Sequence, residues 1–539
     1  MSNKAVIDPQ PHDSPAEGWH PARETAPSVM REDQPTFARW VGLVGLMSVT
    51  LGTATVVAAA GGLASRINPV VGSFLSIIGL ACLLFHAARD TDQQVRRVYG
   101  VLGYLWLAAG ILVTVLPIKG PSGTQFLPYG YVCLTLALLF LLPFLRNETD
   151  KKWRGSTLFL LGGVGTVLAA TGFIGGSISE NFLMPYSLLL ALLGLAYLWA
   201  FVGLEGTSSD LGYRAALAIC ALGLLFGFIA LGRSILPPLF YSLGWIKVRP
   251  EPYLIPSGLL LMLVGLLYAC LGIGLCSENR FVVLTRRELA AFFYSPVAYI
   301  VFFGLTFVAW LVFFQFVNIL LPPAGLMQQR TALPEPVIFN YIISWWPIIC
   351  TIFVVPVLTM RLMSEEQRTG TLEVLFTAPI TETAVVLSKF VAVFVFFMLA
   401  WMPWGLFLIS LRVEGGQPFE YRPLLSFFIA LACSGAAFLG MGLFFSSLTR
   451  NQIASAIMCF VGMLALTGLF FAKGMLESQP MPGISGSPWL TVLDVGSYID
   501  LWITAMRGRV SIFHLLFQLS FAVFWLYLTV KLLESRKWR

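Results

Sequence analysis

The chain has 539 residues, of which 57% are hydrophobic and only 11% are charged, and its mean hydropathy is +0.81. A water-soluble domain carries roughly 25% charged residues, so these values exclude a soluble globular protein. The apolar runs are mostly about 17 to 25 residues long, which is the length of a bilayer-spanning helix. The sequence therefore predicts an all-α polytopic membrane protein. The net charge of +7 is attributed to its loops and not to nucleic-acid binding.

Residues 1–36 are polar, with several prolines and scattered acidic side chains, and we expect a disordered cytoplasmic tail. No basic region stands directly before the first apolar run, and no small-residue cleavage site follows it. This pattern argues against a cleaved signal peptide.

About fourteen transmembrane helices are predicted. Eight form an N-terminal membrane module at residues 37–276, with spans at Trp40–Leu63, Val70–Ala87, Val98–Ile118, Tyr129–Leu145, Thr157–Ile174, Leu183–Leu204, Ala215–Leu231 and Leu254–Cys276. Six lie in residues 277–539, at Val297–Leu320, Ile338–Met360, Ala384–Leu411, Leu424–Ser447, Ile453–Phe471 and Ile512–Leu533.

The distribution of basic residues predicts the orientation of these spans. With the N-terminus in the cytoplasm, 23 of the 34 Lys and Arg residues fall inside and 11 outside, as the positive-inside rule requires. An odd number of spans would spoil this bias in one half of the chain. We therefore expect an even number of spans and both termini in the cytoplasm.

The first eight spans carry almost no ionisable residue at interior positions. Ion-coupled carriers usually need such residues, so this half argues against a proton- or sodium-driven carrier. Its glycine cluster at Gly162, Gly163 and Gly165 favours close helix packing over a substrate site. The eight cysteines all lie in or at the ends of spans, without metal-ligand spacing, and are interpreted as small packing residues.

The segment before the ninth span has the pattern of an interfacial elbow helix. Arg286, Arg287 and Glu288 are followed by apolar residues and then by Pro296, which turns the chain into the membrane. A basic anchor at the start of a span is an equally good interpretation. Further on, Ala432, Ala436 and Gly440 recur every four residues, which allows close helix contact within one subunit or between two.

Residues 361–389 form a compact charged segment between two long apolar runs. Leu372, Leu375 and Phe376 share one face of a predicted helix, which Pro379 ends. The charged side chains around that face are Glu365, Glu366, Arg368 and Glu373. A short helix of this kind could transmit force from a soluble partner to the spans on either side. A surface helix lying among lipid headgroups is the alternative.

The segment between the last two spans is about forty residues long and is predicted to lie outside. Its second half is apolar but contains Asp494 and Asp500, so an interfacial or re-entrant hairpin suits it better than a further span. The two aspartates could pair with a substrate cation, although solvated helix residues are the simpler interpretation.

From about Ser277 to Arg539 the chain resembles the membrane subunits of ABC-2-type transporters, in particular the permease subunit of the gliding-motility type. The resemblance rests on RRELAAFFYSPVAYI, on MRLMSEEQRTGTLEVLFTAPI, on the terminal LLESRKWR and on six spans with a long outer segment before the last. It covers about half of the chain. The eight additional spans depart from the basic pattern of that family.

The resemblance implies that the segment between the second and third spans of the six-span permease domain is a coupling helix that docks on an ATPase. The residues implied at that contact are Glu365, Glu366, Arg368, Gly370, Thr371, Leu372, Glu373 and Leu375. The elbow helix is assigned to Arg286, Arg287 and Glu288. No GxxxxGK[ST] phosphate loop occurs, so ATP is expected on a separate ATPase subunit and no cofactor on this chain.

The function implied is the permease subunit of an ATP-driven transporter in a bacterial cell membrane, with export as the expected direction. The subunit itself is not an enzyme, and it pairs with a second copy or a related permease, with an auxiliary outer-face subunit as a possible further partner. Two alternatives remain: a scaffold or mechanical component coupled to an ATPase, and a secondary carrier. The sequence does not identify the substrate.

Overall fold

The computed structural model describes residues 34–60, 69–89, 93–116, 127–148, 150–178, 187–206, 209–245, 247, 253, 257–320, 339–342, 345–371, 381–413, 422–478 and 488–537. Within these ranges every regular element is a helix. The fold class predicted from the composition is thereby confirmed.

The chain divides into two compact units, residues 1–155 and 156–539, with the division in the first turn of the fifth helix. The first unit contains α1 (Gln34–Ala60), α2 (Pro69–Arg89), α3 (Gln93–Val115) and α4 (Leu127–Asn147). Helices α1 and α2 pack along each other, as do α3 and α4. In its core, His86 Nδ1 and the Tyr99 hydroxyl lie 2.9 Å apart, and the Tyr99 ring stacks on Phe140.

The second unit begins in α5 (Lys151–Ile178) and continues with α6 (Ser187–Glu205), α7 (Asp210–Ser242) and α8 (Leu259–Cys276). A Cβ atom on Gly172 would collide with the backbone of Ala191, and one on Gly194 with that of Ala169. Small residues therefore let α5 and α6 approach each other closely. Of the predicted glycine cluster, Gly165 faces Tyr197 and Leu198 of α6, whereas Gly163 has open space beside it.

The remainder of the second unit comprises α9 (Arg280–Tyr294), α10 (Pro296–Leu320), α11 (Phe339–Ile342), α12 (Trp345–Thr359), α13 (Ser364–Thr369), α14 (Glu382–Val413), α15 (Arg422–Leu448), α16 (Gln452–Ser478), α17 (Pro488–Gly496), α18 (Tyr498–Met506) and α19 (Ile512–Lys537). Its core is rich in aromatic side chains: Trp401, Trp404 and Trp502 are almost completely buried.

Among the described residues, twelve helices are long and apolar enough to cross a membrane, and each coincides with one of the predicted spans. Two shorter apolar helices, Trp40–Thr55 and Phe74–Ala87, lie where the first two spans are predicted. The chain is thus a polytopic membrane protein. The total of fourteen spans and the orientation of the termini stay predictions.

The small residues that recur every four positions, Ala432, Ala436 and Gly440, lie in α15. A Cβ atom on Gly440 would lie 3.3 Å from the Ala522 carbonyl oxygen and 3.5 Å from Trp525 Cβ, both in α19. Ala436 is also buried in the same core. Gly440 therefore serves a helix contact inside the subunit, which is one of the two uses that the sequence leaves open.

The predicted domain boundaries lie between residues 36 and 37 and between residues 276 and 277. Residues 1–33 lie outside the described residues, so the disordered tail stays a prediction. The compact units divide at 155/156, and α8 and α9 lie in the same unit. The division into an eight-span and a six-span module likewise stays a prediction.

Candidate functional site

Helix α9 contains the residues predicted for the elbow helix, and its place at the membrane interface stays a prediction. The side chain of Asn279 caps its first turn by accepting a hydrogen bond from the Phe281 backbone N–H at 3.0 Å. Its Leu284 is buried, whereas Arg286 and Arg287 are exposed. Helix α9 ends at Tyr294, and Ser295 separates it from α10. Pro296 is the first residue of α10, a helix position to which proline is well suited.

The chain leaves α12 at Thr359 and forms a tight turn before α13, the short helix Ser364–Thr369. Gly370 follows with a φ of +73°, a left-handed conformation that favours glycine and ends the helix. Thr369 and Thr371 share a hydrogen bond of 2.9 Å between their hydroxyls across this glycine. The predicted coupling segment thus begins as an ordered turn and one short helix.

A buried ion cluster connects α9, α13 and the first turns of α14. The Lys389 ammonium of α14 lies 2.6 Å from Glu366 Oε1 of α13 and 3.0 Å from Glu288 Oε2 of α9. The lysine side chain is 3% exposed, and the two carboxylates are 14% and 17% exposed. Because water is largely excluded, these charges depend on one another for stabilisation. We call Glu288, Glu366 and Lys389 the Lys389 cluster.

A second set of contacts joins the same turn to the end of α15. The Ser446 hydroxyl accepts hydrogen bonds from the backbone N–H groups of Met363 at 3.1 Å and Ser364 at 3.2 Å. The same hydroxyl donates to the Met360 carbonyl at 3.2 Å. Gln367 Nε2 donates to the Ser447 carbonyl at 2.9 Å. The turn is therefore fixed to α15 as well as to α9 and α14.

The structure separates the predicted coupling residues into two groups. Glu366 is directed into the Lys389 cluster, whereas Arg368, Gly370 and Thr371 are exposed and Glu365 is half-buried. Leu372, Glu373 and Leu375, together with Phe376 and Pro379, lie outside the described residues. Contact of any of these residues with an ATPase stays a prediction.

The elbow residues have different roles in the structure. Glu288 belongs to the Lys389 cluster, and Arg287 Nη2 lies 3.8 Å from its other carboxylate oxygen. Arg286 donates to the Leu275 carbonyl at the end of α8, at 3.3 Å. The elbow helix is therefore held both by α14 and by the helix before it.

Lys389 is the residue of this cluster that sequence reasoning missed. It is the only charged residue within the apolar run of the predicted span Ala384–Leu411, and an ionisable side chain inside such a run is a signal of a paired or functional site. Its partners precede it by 23 and 101 residues. The sequence does not indicate which carboxylates they are.

Asp494 and Asp500, the two aspartates near the other end of the helices, share an internal cation. Lys473 Nζ of α16 lies 2.5 Å from Asp494 Oδ1 and 3.2 Å from Asp500 Oδ1. His514 Nε2 of α19 lies 3.4 Å from Asp494 Oδ2. Asp494 is 41% exposed, whereas the Asp500 side chain is 18% exposed. Neither sequence interpretation of these aspartates included the lysine that joins them to α16.

Residues 315–531 match the model of the ABC-2 family transporter protein. We call residues 315–531 the ABC-2-like region. It begins inside α10 and ends inside α19, so it includes α13, Lys389, Ser446 and the contacts of Lys473 with Asp494 and Asp500.

The elbow helix α9 precedes the ABC-2-like region, as do the first eight predicted spans. The match is to a general ABC-2 model and does not distinguish the gliding-motility type. No curated protein and no solved structure matches the chain.

Proposed function

We propose that this protein is the membrane subunit of an ATP-driven ABC-2-type transporter, with ATP bound and hydrolysed by a separate subunit. The observation that carries the proposal is the Lys389 cluster, which joins α13 and α14 of the ABC-2-like region to α9, the helix that precedes it. Such a joint suits the transfer of a displacement from a soluble partner to transmembrane helices, because buried charge pairs resist separation.

In this mechanism the segment after α12 is the docking element for the ATPase. Arg368 and Thr371 are exposed there, and Glu373 and Leu375 continue the same segment in the sequence. A force on α13 would act on α15 through Ser446 and Gln367, and on α9 and α14 through Glu366. The helices would then change between two arrangements, as alternating access requires.

The finer features of the proposal follow the sequence resemblance. Export is the proposed direction, a bacterial cell membrane is the proposed location, and both termini are placed in the cytoplasm. Two copies of this chain, or one copy and a related permease, would supply the two coupling segments that two ATPase subunits need.

The first experiment is purification of the full chain from its native membrane in mild detergent, with identification of the proteins that co-purify. We expect an ABC ATPase in stoichiometric amount, and ATP hydrolysis by the complex. The chain purified alone is expected to show none. Recovery of an intact, folded chain without any ATPase under several detergents would contradict the proposal.

The second experiment locates the contact. A cysteine at Arg368, which is exposed on α13, is expected to crosslink to the ATPase. The matched control is a cysteine at Glu477, an exposed residue near the opposite end of the helices. Crosslinking at both positions, or at Glu477 alone, would contradict the assignment of the docking segment.

The third experiment tests coupling. Glu373→Lys reverses a charge in the proposed contact and is expected to weaken ATPase binding or to separate hydrolysis from transport. Loss of one partner of a buried interfacial ion pair costs about 2–5 kcal/mol, and loss at the rim costs far less. Glu534→Lys, at a 40% exposed side chain of α19, is the control with the same charge change.

A further inference from the structure

An apolar groove lies between the elbow helix and two transmembrane helices. It has a volume of about 640 Å³ and is lined by Phe293 of α9, by Phe302 and Thr306 of α10, and by Phe396, Leu399, Met402, Pro403, Leu406 and Phe407 of α14. This volume lies in the range of small-molecule sites, which is about 300–1,000 Å³.

The groove offers almost no polar group to an occupant. The single hydroxyl in its lining, that of Thr306, donates to the Phe302 carbonyl of its own helix at 2.7 Å. A polar or charged molecule entering the groove would lose its hydration without gaining hydrogen bonds. Hydrocarbon loses nothing by the transfer, so the chemistry of the walls selects an alkyl chain.

The walls of the groove are held in place before any ligand arrives. Phe292 and Phe293 of α9 both contact the buried ring of Phe396, with ring centroids 5.2 Å and 5.7 Å apart. One turn before these rings, Glu288 ties the same helix to Lys389 of α14. A groove between fixed walls binds a chain with less ordering cost than a flexible surface does.

The elbow helix also carries positive charge at a defined distance from the groove. Arg286 lies seven residues before Phe293, hence on the same helix face and about 10 Å away along the axis. Arg286 and Arg287 are both exposed, and the one acidic residue of the helix, Glu288, is 3.0 Å from Lys389 and 3.8 Å from Arg287. Basic residues at a membrane interface attract anionic lipid headgroups.

We infer that this groove is a binding site for one anionic phospholipid, with an acyl chain between α10 and α14 and the headgroup against Arg286 and Arg287. The inference does not depend on the proposed transport function. Because α9 is also joined to α13 through the Lys389 cluster, the bound lipid would stabilise the elbow against which that segment is held.

The test uses the full chain in nanodiscs containing phosphatidylglycerol with a photoactivatable acyl chain, followed by mapping of the labelled peptides. We expect adducts to concentrate on the groove residues of α10 and α14. Thr306→Trp and Leu399→Trp, one from each of these two walls, fill the groove and should each lower those adducts about tenfold, which corresponds to about 1.4 kcal/mol. Phe303→Trp, at a 72% exposed position of α10 outside the lining, should leave them unchanged.

A second measurement concerns the headgroup. Native mass spectrometry of the full chain should show phosphatidylglycerol retained in preference to phosphatidylcholine, and Arg286→Gln with Arg287→Gln should lower that preference about fivefold for each arginine. Arg214→Gln, at an exposed position of α7, is the charge-matched control.

Several results would overturn the inference. Adducts spread evenly over all lipid-facing helices, or insensitive to both groove-filling variants, would show ordinary annular lipid only. Equal retention of phosphatidylcholine and phosphatidylglycerol would show that the site does not select an anionic headgroup. Displacement of the lipid by millimolar inorganic phosphate would assign the arginines to free phosphate. A disulfide-linked dimer formed through Met402→Cys would show that a second copy of the chain covers the groove.

Discussion

The Lys389 ammonium lies 2.6 Å from Glu366 Oε1, although the two residues belong to different helices and are 23 positions apart in the chain. With Glu288 as the second partner, one buried cation holds two carboxylates that would otherwise repel each other. This contact joins α13, which follows the turn after α12, to the elbow helix and α14, so a displacement of one is resisted by the other two.

Replacing Lys389 by methionine removes the cation while keeping most of the side-chain volume. We expect Lys389→Met to destabilise the protein by about 3–5 kcal/mol, because Glu366 loses its cation and Glu288 retains only the exposed Arg287 at 3.8 Å. The measurement is the thermal unfolding midpoint in detergent.

The triple variant with Glu288→Gln and Glu366→Gln added should recover most of that loss, since no charge then stays buried alone. Lys531→Met, which breaks an exposed pair with Glu534, is the control and should leave the unfolding midpoint nearly unchanged. A Lys389→Met protein as stable as the parent would show that the cluster is not held by charge.

The Ser446 hydroxyl is expected to fix the turn before α13. Ser446→Ala leaves the backbone N–H groups of Met363 and Ser364 without their acceptor, at a cost of about 1–3 kcal/mol. Hydrogen exchange at these two amides should become faster. Ser447→Ala is the matched control, because within the described part of the chain that hydroxyl bonds only to the Phe444 carbonyl of its own helix. Equal protection in both variants would refute the role given to Ser446.

Gly442 of α15 lies directly against Thr359 of α12. A Cβ atom there would overlap the buried Thr359 side chain, so Gly442→Ala should cost about 1–3 kcal/mol through overpacking. Gly468→Ala in α16 is the control, since a Cβ atom at that position has open space and should gain about 0.5–1 kcal/mol. The comparison of the two unfolding midpoints checks the packing, and a tolerated Gly442→Ala would count against it.

The orientation of the spans predicts which residues a membrane-impermeant thiol reagent can reach from outside. A cysteine at Glu477, which is exposed near the end of α16, should be labelled in intact cells. A cysteine at Arg450, exposed between α15 and α16, should be labelled only after the membrane is permeabilised. The reverse result would invert the predicted topology.

Much of this protein follows from its sequence alone. The positions of the long apolar helices were predictable because spanning a bilayer requires about 20 consecutive apolar residues, and that requirement is local. The end of α9 before Pro296 was predictable for a similar reason, since the charged residues and the proline lie within one short segment. The interfacial position of this helix stays a prediction. The match of residues 315–531 to the ABC-2 family model likewise rests on the sequence alone.

The ion clusters were decided by the tertiary structure. Lys389 could be recognised as an unusual charge in an apolar run, but its pairing with Glu288 and Glu366 depends on how α9, α13 and α14 pack. Lys473 is brought to Asp494 and Asp500 in the same way. Helical periodicity specifies which residues share a face, whereas the choice of partner depends on contacts between distant segments. Where those contacts exclude water, a charge that the sequence presents as isolated becomes part of a buried pair.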